Sequence, residues 1–541
     1  MNKNNSSEIN KYYNVQPYDI EELKKEFVDI CRSDFISISG KAQIEYFDKF
    51  LQKHKAKTMV FEDEYIESSY LSDYSAYYVC SFNEYRTRCT RIHFFSHKFQ
   101  NVDFSEILRS KEYLDSFMKD YLTSYIGYIV VKPLPISLFG RTCLKPPPKV
   151  SNHEYFLETR KVACNLFGIK FTIPCIPFQE QDRAVGACAT SALWSAFEAT
   201  AFLFQHTIPS LSQITRAASK GSPHDSRHFP NHGLNTIQMA SAVRYVGLEP
   251  SCVKLYSYDR IKRYIYAYLK GNMPIILGGK LYELREDSKK PKYIGMHAVT
   301  VTGFENSSNN IKPNNDGLLL SSSKISKVFI HDDQVGPYSE LIEFDPKKVD
   351  LPLNYVDGEL KSSSPYLTQW KDNDGNENNV IFVPHLIVLP LYLTMRISFE
   401  IIYACIYHFN LYLLDVLKEL NWSNEDIKWD IFHSSLQEFR EFLNSSDNII
   451  SGSYKESLLT ETLPLYLWRG IAREPTGEHI FELLFDSTDL ERGDLFLKAI
   501  IYKEYSINLF KDFFSDLTMS IVPNRHTRKI IQWFIKNKLD N

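Results

Sequence analysis

The chain has 541 residues, of which 44% are hydrophobic and 24% charged, and its formal net charge is −4. A chain of this length forms more than one core, so about two to four domains are expected, and its 34 Tyr and 36 Phe exclude a disordered protein. The small net charge gives no sign of a nucleic-acid partner or an anionic membrane surface.

The cysteines and the apolar segments indicate the cellular location of the protein. Nine cysteines are scattered without a CxxC pair, and the first residues contain no apolar leader. We therefore expect reduced thiols in a cytoplasmic protein, with neither a disulfide framework nor a zinc ribbon. The most hydrophobic region, 380–417, is interrupted by prolines and charged residues, so it is expected to form a buried strand and a buried helix, not a membrane span.

Residues 1–150 are predicted to form an N-terminal domain of mixed helix and strand. Helical patterns come first and strand-like patterns follow, over 20–33, 39–54, 77–99 and 126–132. The domain ends at the proline-rich stretch 145–149, which can only be extended.

Residues 151–350 are predicted to form an α+β domain, since helices mostly precede strands. A strand-like segment, 162–176, leads to a loop and a long apolar helix, 189–204. Further helices and strands are predicted over 234–245, 258–270, 273–277, 297–304 and 327–331.

Residues 351–541 are predicted to form a mixed, largely helical C-terminal domain. A polar stretch, 357–379, is expected to be a loop. Helices are predicted over 424–444, 495–514 and 528–539, with strands over 463–468 and 480–485.

Cys188 is the cysteine whose surroundings suggest chemistry. A loop containing Gln179, Gln181 and a glycine leads directly into the apolar helical pattern, and Cys188 stands at the junction. Unpaired N–H groups and the positive end of the helix dipole favour a thiolate at a helix start. A glutamine amide in this loop could also stabilise an oxyanion beside the Cys188 N–H. The alternative is that Cys188 has only a structural role, as a small buried hydrophobic residue.

Two later strand ends offer a base and an acid. His297 begins an alternating apolar strand, and Asp332, followed by Asp333, ends another. Neighbouring strands can hold a carboxylate against an imidazole, which fixes the tautomer of the ring. A histidine with an ordinary structural role and an Asp-rich turn are the alternatives, and strand alternation favours Asp332 over Asp333.

This ordered set resembles papain-like cysteine peptidases, most closely the bacteriocin leader-processing (double-glycine) peptidases. The resemblance covers about residues 170–345 and rests on a glutamine before the cysteine and on the segments 271–277, 297–303 and 329–332. It implies a papain-like fold with Cys188 as nucleophile, His297 as general base and Asp332 as the residue that orients His297. It also implies an oxyanion hole formed by Gln181 and the Cys188 N–H, with Gln179 and Asp333 as alternatives to Gln181 and Asp332.

Some positions depart from the family pattern. The spacing between His297 and Asp332 is wide, so the Asn- and Ser-rich stretch 306–323 is treated as a loop insertion. Ala187 and Ala189 stand where the family often has Asp and Gly.

The sequence therefore predicts a cysteine-dependent hydrolase, foremost a peptidase, that acts on a protein or peptide through a thioester and needs no cofactor. A non-proteolytic acyltransferase, deamidase or amidase on the same fold and an inactive papain-like binding module are the alternatives. The flanking domains are expected to select a substrate or a protein partner.

His224, His228 and His232 are spaced four apart, a pattern that binds metal on a helix. Nearby prolines and glycines break any helix, so no metal site is predicted. We instead expect a loop beside the active-site groove, with Arg227 and His228 as substrate contacts.

Overall fold

The structure is a computed structural model with helix and strand in similar amounts, which confirms a mixed α+β protein. None of its described helices has the length and apolar character that a membrane crossing requires. It describes residues 12–149, 154–182, 184–220, 229–285, 288–307, 313–314, 316–352, 354–356, 359–361, 364–372, 375–377, 379–419, 427–445, 450, 452–474, 476–489, 495–502, 522 and 524–536.

The N-terminal part is a five-stranded antiparallel sheet with the strands in chain order. The strands are β1 (Tyr13–Pro17), β2 (Thr58–Tyr65), β3 (Cys89–Phe95), β4 (Tyr125–Val131) and β5 (Phe139–Leu144). The helices are α1 (Ile20–Cys31), α2 (Phe35–Ser39), α3 (Ala42–Lys53), α4 (Ser68–Ala76), α5 (Asn101–Arg109) and α6 (Lys111–Tyr121). The predicted helices near 20–33 and 39–54 are confirmed, whereas the aromatic series 77–99 is a strand only in β3.

The middle part contains a ring of six antiparallel strands. The strands of the whole middle part, within and outside the ring, are β6 (Tyr155–Leu157), β7 (Arg160–Leu166), β8 (Ile169–Cys175), β9 (Glu249–Lys254), β10 (Ile275–Arg285), β11 (Ser288–Asn306), β12 (Leu319–Leu320), β13 (Ile325–Asp332), β14 (Gly336–Glu343), β15 (Asn354–Val356), β16 (Glu359–Lys361), β17 (Tyr366–Leu367) and β18 (Val380–Leu391). The ring runs β10-β11-β13-β14-β17-β18 and closes because β18 also pairs with β10. It therefore includes strands on both sides of the boundary predicted after residue 350.

Four helices follow the β7–β8 hairpin, which occupies the segment predicted as one strand over 162–176. They are α7 (Cys188–Phe204), α8 (Leu211–Ser219), α9 (Thr236–Tyr245) and α10 (Tyr258–Leu269). Helix α7 packs against the ring, where Thr300 Oγ1 of β11 donates a 2.7 Å hydrogen bond to the Ala192 carbonyl. Leu193 and Trp194 of α7 are buried together with Val388 of β18. The helix that carries Cys188 is thus fixed to the sheet that carries His297.

The C-terminal part adds a further antiparallel arrangement of four strands, β19-β20-β21-β22, and more helices. Its elements are α11 (Phe399–Glu419), β19 (Lys428–Ser435), α12 (Leu436–Ser445), α13 (Gly452–Thr460), β20 (Tyr466–Arg473), β21 (His479–Asp486), β22 (Phe496–Ile501) and α14 (Arg525–Lys536). Strand β18 and helix α11 confirm the buried strand and buried helix expected over 380–417. The helices predicted over 424–444 and 495–514 are wrong in their described first portions, which are β19 and β22.

The three parts of the chain share cores. One buried apolar cluster contains residues from Leu255 in the middle part to Phe534 in α14. Another contains Leu23 and Phe47 from the N-terminal helices together with Tyr338 of β14. Because burial of apolar surface is the main favourable term in folding, these shared clusters hold the parts together.

Candidate active site

Cys188 is the first residue of α7, as the sequence predicted. The preceding residue, Ala187, is extended and provides no side-chain hydrogen bond to the first turn of the helix. The N–H groups at this helix end are therefore not capped by that residue and remain suited to bind developing negative charge. Cys188 is partly exposed.

The loop before Cys188 is held by buried hydrogen bonds. Asp182 accepts 2.8 and 3.1 Å hydrogen bonds from the N–H groups of Ala184 and Val185. The Tyr78 hydroxyl donates to the same carboxylate at 2.7 Å. The Thr215 hydroxyl donates to the Val185 carbonyl at 2.7 Å. These bonds fix the backbone that brings the thiol to the helix start.

His297 lies on β11, opposite Gly279 of β10, and is 6% exposed. A Cβ atom at Gly279 would lie 2.5 Å from the Phe382 ring, so the strand pair needs glycine there. The ring of His297 meets the Trp370 indole edge to face, with centroids 5.0 Å apart. The imidazole is therefore confined on its apolar sides by packing.

Asp332, at the end of β13, holds His297 by a 3.0 Å hydrogen bond between His297 Nε2 and Asp332 Oδ1. Trp370 Nε1 donates to Asp332 Oδ2 at 2.7 Å, and the Gln334 N–H donates to Oδ1 at 3.0 Å. Burial raises the pKa of Asp332, but the charge of His297 and these hydrogen bonds outweigh it and keep the pKa below its usual value. Asp332 is thus a carboxylate that supports a charged imidazole.

The pKa of His297 is affected by both Asp332 and Cys188. Burial lowers this pKa, but Asp332, by charge and hydrogen bond, and then Cys188, by hydrogen bond and charge, raise it well above its usual value. Because Nε2 faces Asp332, Nδ1 is the ring nitrogen that points away from this carboxylate. The structure therefore joins His297 and Asp332 by a hydrogen bond and packs Cys188 against the buried cluster that contains Ala298, the residue after His297.

Trp370 is the site residue that sequence reasoning missed. It lies in the polar stretch 357–379, which was predicted only as a loop and which also carries the ring strand β17. The one sequence signal was a single tryptophan among Asp, Asn and Ser residues. A residue that large seldom stays in solvent, but the pattern did not indicate what it contacts.

The two candidate oxyanion glutamines differ in environment. Gln181, the residue that the resemblance selects, is partly exposed. Gln179 is 5% exposed, and its Nε2 lacks a hydrogen-bond partner in the described part of the chain. Leaving a buried donor unpaired is costly, so Gln179 is the glutamine with a donor to spare for a ligand.

Asp333 lies behind the same histidine. Its Oδ1 is 3.9 Å from His297 Nε2, is buried, and lacks a hydrogen-bond partner among the described residues. Burial raises the pKa of Asp333 to about 7, with the neighbouring carboxylate of Asp332 adding to the rise and the charge of His297 opposing it. The geometry therefore places Asp332, and not Asp333, in direct contact with the imidazole.

His297, Asp332 and Asp333 also lie close enough together to hold a metal ion. The Asp332 carboxylate, however, already accepts N–H hydrogen bonds from His297, Trp370 and Gln334. Three N–H donors thus occupy most of the roughly four lone-pair sites of this carboxylate. The donor set fits a hydrogen-bonded acid–base pair better than a metal site. His224, Arg227 and His228 lie outside the described residues.

No protein-family model and no curated protein sequence matches this chain. The resemblance to papain-like peptidases therefore stays a prediction from the sequence motifs.

Proposed function

We propose that the protein is a cysteine-dependent hydrolase, foremost a peptidase, whose middle part has a papain-like fold. The observation that carries the proposal is the 3.0 Å hydrogen bond between His297 and Asp332, together with the position of Cys188 at the start of the helix that packs against the same sheet. A thiol, an imidazole and a carboxylate that act on each other in this order form the arrangement that activates a cysteine nucleophile.

Each group has a defined role in the proposed reaction. The Cys188 thiolate attacks the carbonyl carbon of the substrate, and the carbonyl electron pair moves to oxygen. The resulting oxyanion is stabilised by the Cys188 N–H and a glutamine amide, from Gln181 or Gln179. His297 then gives its proton to the leaving amine, the C–N bond breaks, and a thioester remains. Water, deprotonated by His297, attacks the thioester and releases the acid and the thiolate.

Asp332 and Trp370 act through the imidazole. Asp332 fixes the orientation of His297 and stabilises its charged form. Trp370 satisfies the second oxygen of Asp332 and covers the His297 ring. Of the three proposed triad residues Cys188 is the most exposed, which gives a substrate access to the nucleophile while the base and acid stay shielded.

The surroundings of the site support the same proposal. A helix that begins with the nucleophile and packs on an antiparallel sheet that carries the base is the layout that the papain-like resemblance implies. All nine cysteines are free, as expected for the proposed cytoplasmic location.

Active-site labelling tests the proposal. Wild-type protein and the Cys188→Ala and His297→Ala variants are incubated with peptidyl acyloxymethyl ketones of varied sequence, and the modified residue is mapped by mass spectrometry. We expect a covalent thioether at Cys188 in the wild type only. Wild-type protein that reacts with no member of the panel, or reacts equally at several cysteines, would refute the proposal.

A further inference from the structure

The N-terminal part of the chain contacts both sides of the candidate active site through the start of helix α3. We propose that Gln43 is a positioning residue, which ties the loop before Cys188 to the turn after Asp332. This inference rests on the proposed function, because what Gln43 positions is the proposed catalytic set.

Gln43 makes this connection with a single amide. Its side chain is 5% exposed, and its Nε2 donates to the Glu180 Oε1 at 3.3 Å and to the Asp333 carbonyl at 3.2 Å. Glu180 lies between the two candidate oxyanion glutamines, and Asp333 directly follows Asp332. One buried group therefore fixes the distance between the segments that carry the oxyanion donor and the acid.

Among the described residues, the other hydrogen-bond and ion-pair partners of the Glu180 side chain also belong to the N-terminal part of the chain. Lys41 forms a 2.7 Å ion pair with Glu180 Oε1, and the Phe139 N–H donates to Oε2 at 3.1 Å. The Glu180 N–H in turn donates to the Phe139 carbonyl at 3.0 Å. A buried carboxylate with several charge-assisted hydrogen bonds has little freedom to move.

The turn after Asp332 is held by the same helix. The Tyr46 hydroxyl donates to the Pro337 carbonyl at 2.6 Å. Gly336 has φ of +153°, and a Cβ atom there would lie 2.3 Å from the Tyr46 ring, so the helix sits directly against the turn. Glu45 pairs with Lys371, the residue after Trp370. Helix α3 thus contacts the turn after Asp332 and the residue that follows Trp370.

These contacts can affect catalysis because they help to set the distances between the proposed catalytic groups. A misplacement of about 1 Å far from the reacting atoms can lower a rate about 100-fold. Gln43 touches neither the thiol nor the imidazole, so its loss should disturb the geometry of the pair without removing a reacting group.

The test compares Gln43→Leu with a matched change on the same helix, Gln52→Leu. Gln52 Nε2 bonds only within the helix, to Asp48 Oδ1 at 2.9 Å. The rate of iodoacetamide labelling at Cys188 is measured from pH 5 to pH 10 in the full-length protein, with thermal unfolding in parallel. We expect Gln43→Leu to slow labelling at neutral pH about tenfold and to move the labelling profile toward higher pH, and Gln52→Leu to change neither.

The outcomes separate the two proposals. If Cys188 is not selectively labelled in the wild type, the proposed function is refuted, and the proposed role of Gln43 is refuted with it. If the wild type is selective but Gln43→Leu keeps its rate and pH profile, only the positioning role is refuted. If Gln43→Leu does not fold, Tyr46→Phe decides. This variant lacks the hydroxyl that donates a hydrogen bond to the Pro337 carbonyl in the turn. An unchanged pH profile of labelling in Tyr46→Phe would also overturn the inference.

Discussion

His297 and Asp332 lie on neighbouring antiparallel strands and are joined by a 3.0 Å hydrogen bond from the ring to the carboxylate. The strand pairing fixes the two backbones, and Trp370 and the Gln334 N–H fix the carboxylate. The imidazole is therefore held in one orientation, with Nε2 on the acid.

Removing Asp332 should impair activity far more than removing Asp333. Asp332→Ala is expected to lower kcat/KM by about 100-fold or more, because the imidazole loses its orienting partner and its charge support. Asp333→Ala should lower it by less than about tenfold, since Asp333 makes no direct bond to the ring. Hydrolysis of a peptide identified by profiling measures both.

The pH profile gives a second check on Asp332. This carboxylate raises the pKa of His297, so its loss lowers the pH at which the ring gives up its proton. The alkaline limb of kcat/KM should therefore move to lower pH in Asp332→Ala, and move by less in Asp333→Ala, whose carboxylate is 3.9 Å from the ring and makes no hydrogen bond to it. Unmoved limbs in both variants would show that Asp332 does not support the imidazolium.

The His297–Asp332 pair could be anticipated from sequence because strand ends are local signals. Alternation predicted one strand that begins at His297 and another that ends at Asp332, and their order predicted that the two strands are neighbours. The end of β13 at Asp332 is confirmed, whereas β11 begins at Ser288 and His297 lies within it. Trp370 could not be anticipated in the same way. It reaches Asp332 from a polar stretch 38 positions later, and no period in that stretch indicates the contact.

Trp370→Phe should keep the ring that covers His297 and lose only the hydrogen bond to Asp332 Oδ2. Since bonds to charged groups contribute about 1.5–3 kcal/mol, we expect a clear loss in kcat/KM, in the range of about 10- to 100-fold. Trp533→Phe, on α14, is the matched control and should leave activity unchanged. Equal activities of the two variants would show that the indole N–H is dispensable.

Asp333 should make stability depend on pH. Its pKa is about 7 when folded and near 3.8 when unfolded, so the folded state holds the proton longer. The free energy of unfolding therefore decreases by a few kcal/mol as pH rises from about 4 to about 7, and this loss is complete above pH 7. Asp333→Asn removes this loss. Urea unfolding should find the variant more stabilised, relative to wild type, at pH 8 than at pH 5, and an equal difference at both pH values would contradict this.

The N-terminal sheet should also stabilise the helix that carries Cys188. Arg141 of β5 forms a two-pronged ion pair with Glu198 of α7, and Glu198 is buried. Glu198→Ala leaves Arg141 without its partner and should lower the free energy of unfolding by about 3–5 kcal/mol. Glu249→Ala, which breaks the exposed pair with Arg244, should lower it by less than about 1 kcal/mol. Similar losses in the two variants, measured by urea unfolding, would exclude this role.

The larger architecture shows where sequence patterns stop being informative. Helices such as α3 and α7 were predicted because their apolar positions repeat along a short stretch. The closure of the ring was not predicted, because β10 pairs with β18 about 100 positions later and neither strand has a sequence pattern that indicates the other as its partner. Strands β19 and β22 were taken for helices because short apolar runs fit both periods.

The rank order of cysteine reactivity tests the central claim most directly. Cys80 and Cys252 are exposed, Cys188 is only partly exposed, and the other six are buried. Exposure alone would make Cys80 and Cys252 react first, although burial raises the pKa of Cys252. We predict that limiting iodoacetamide at pH 6.5 modifies Cys188 first and that His297→Ala removes this preference. Faster modification of Cys80 or Cys252, or an unchanged Cys188 rate in His297→Ala, would contradict an activated nucleophile at Cys188.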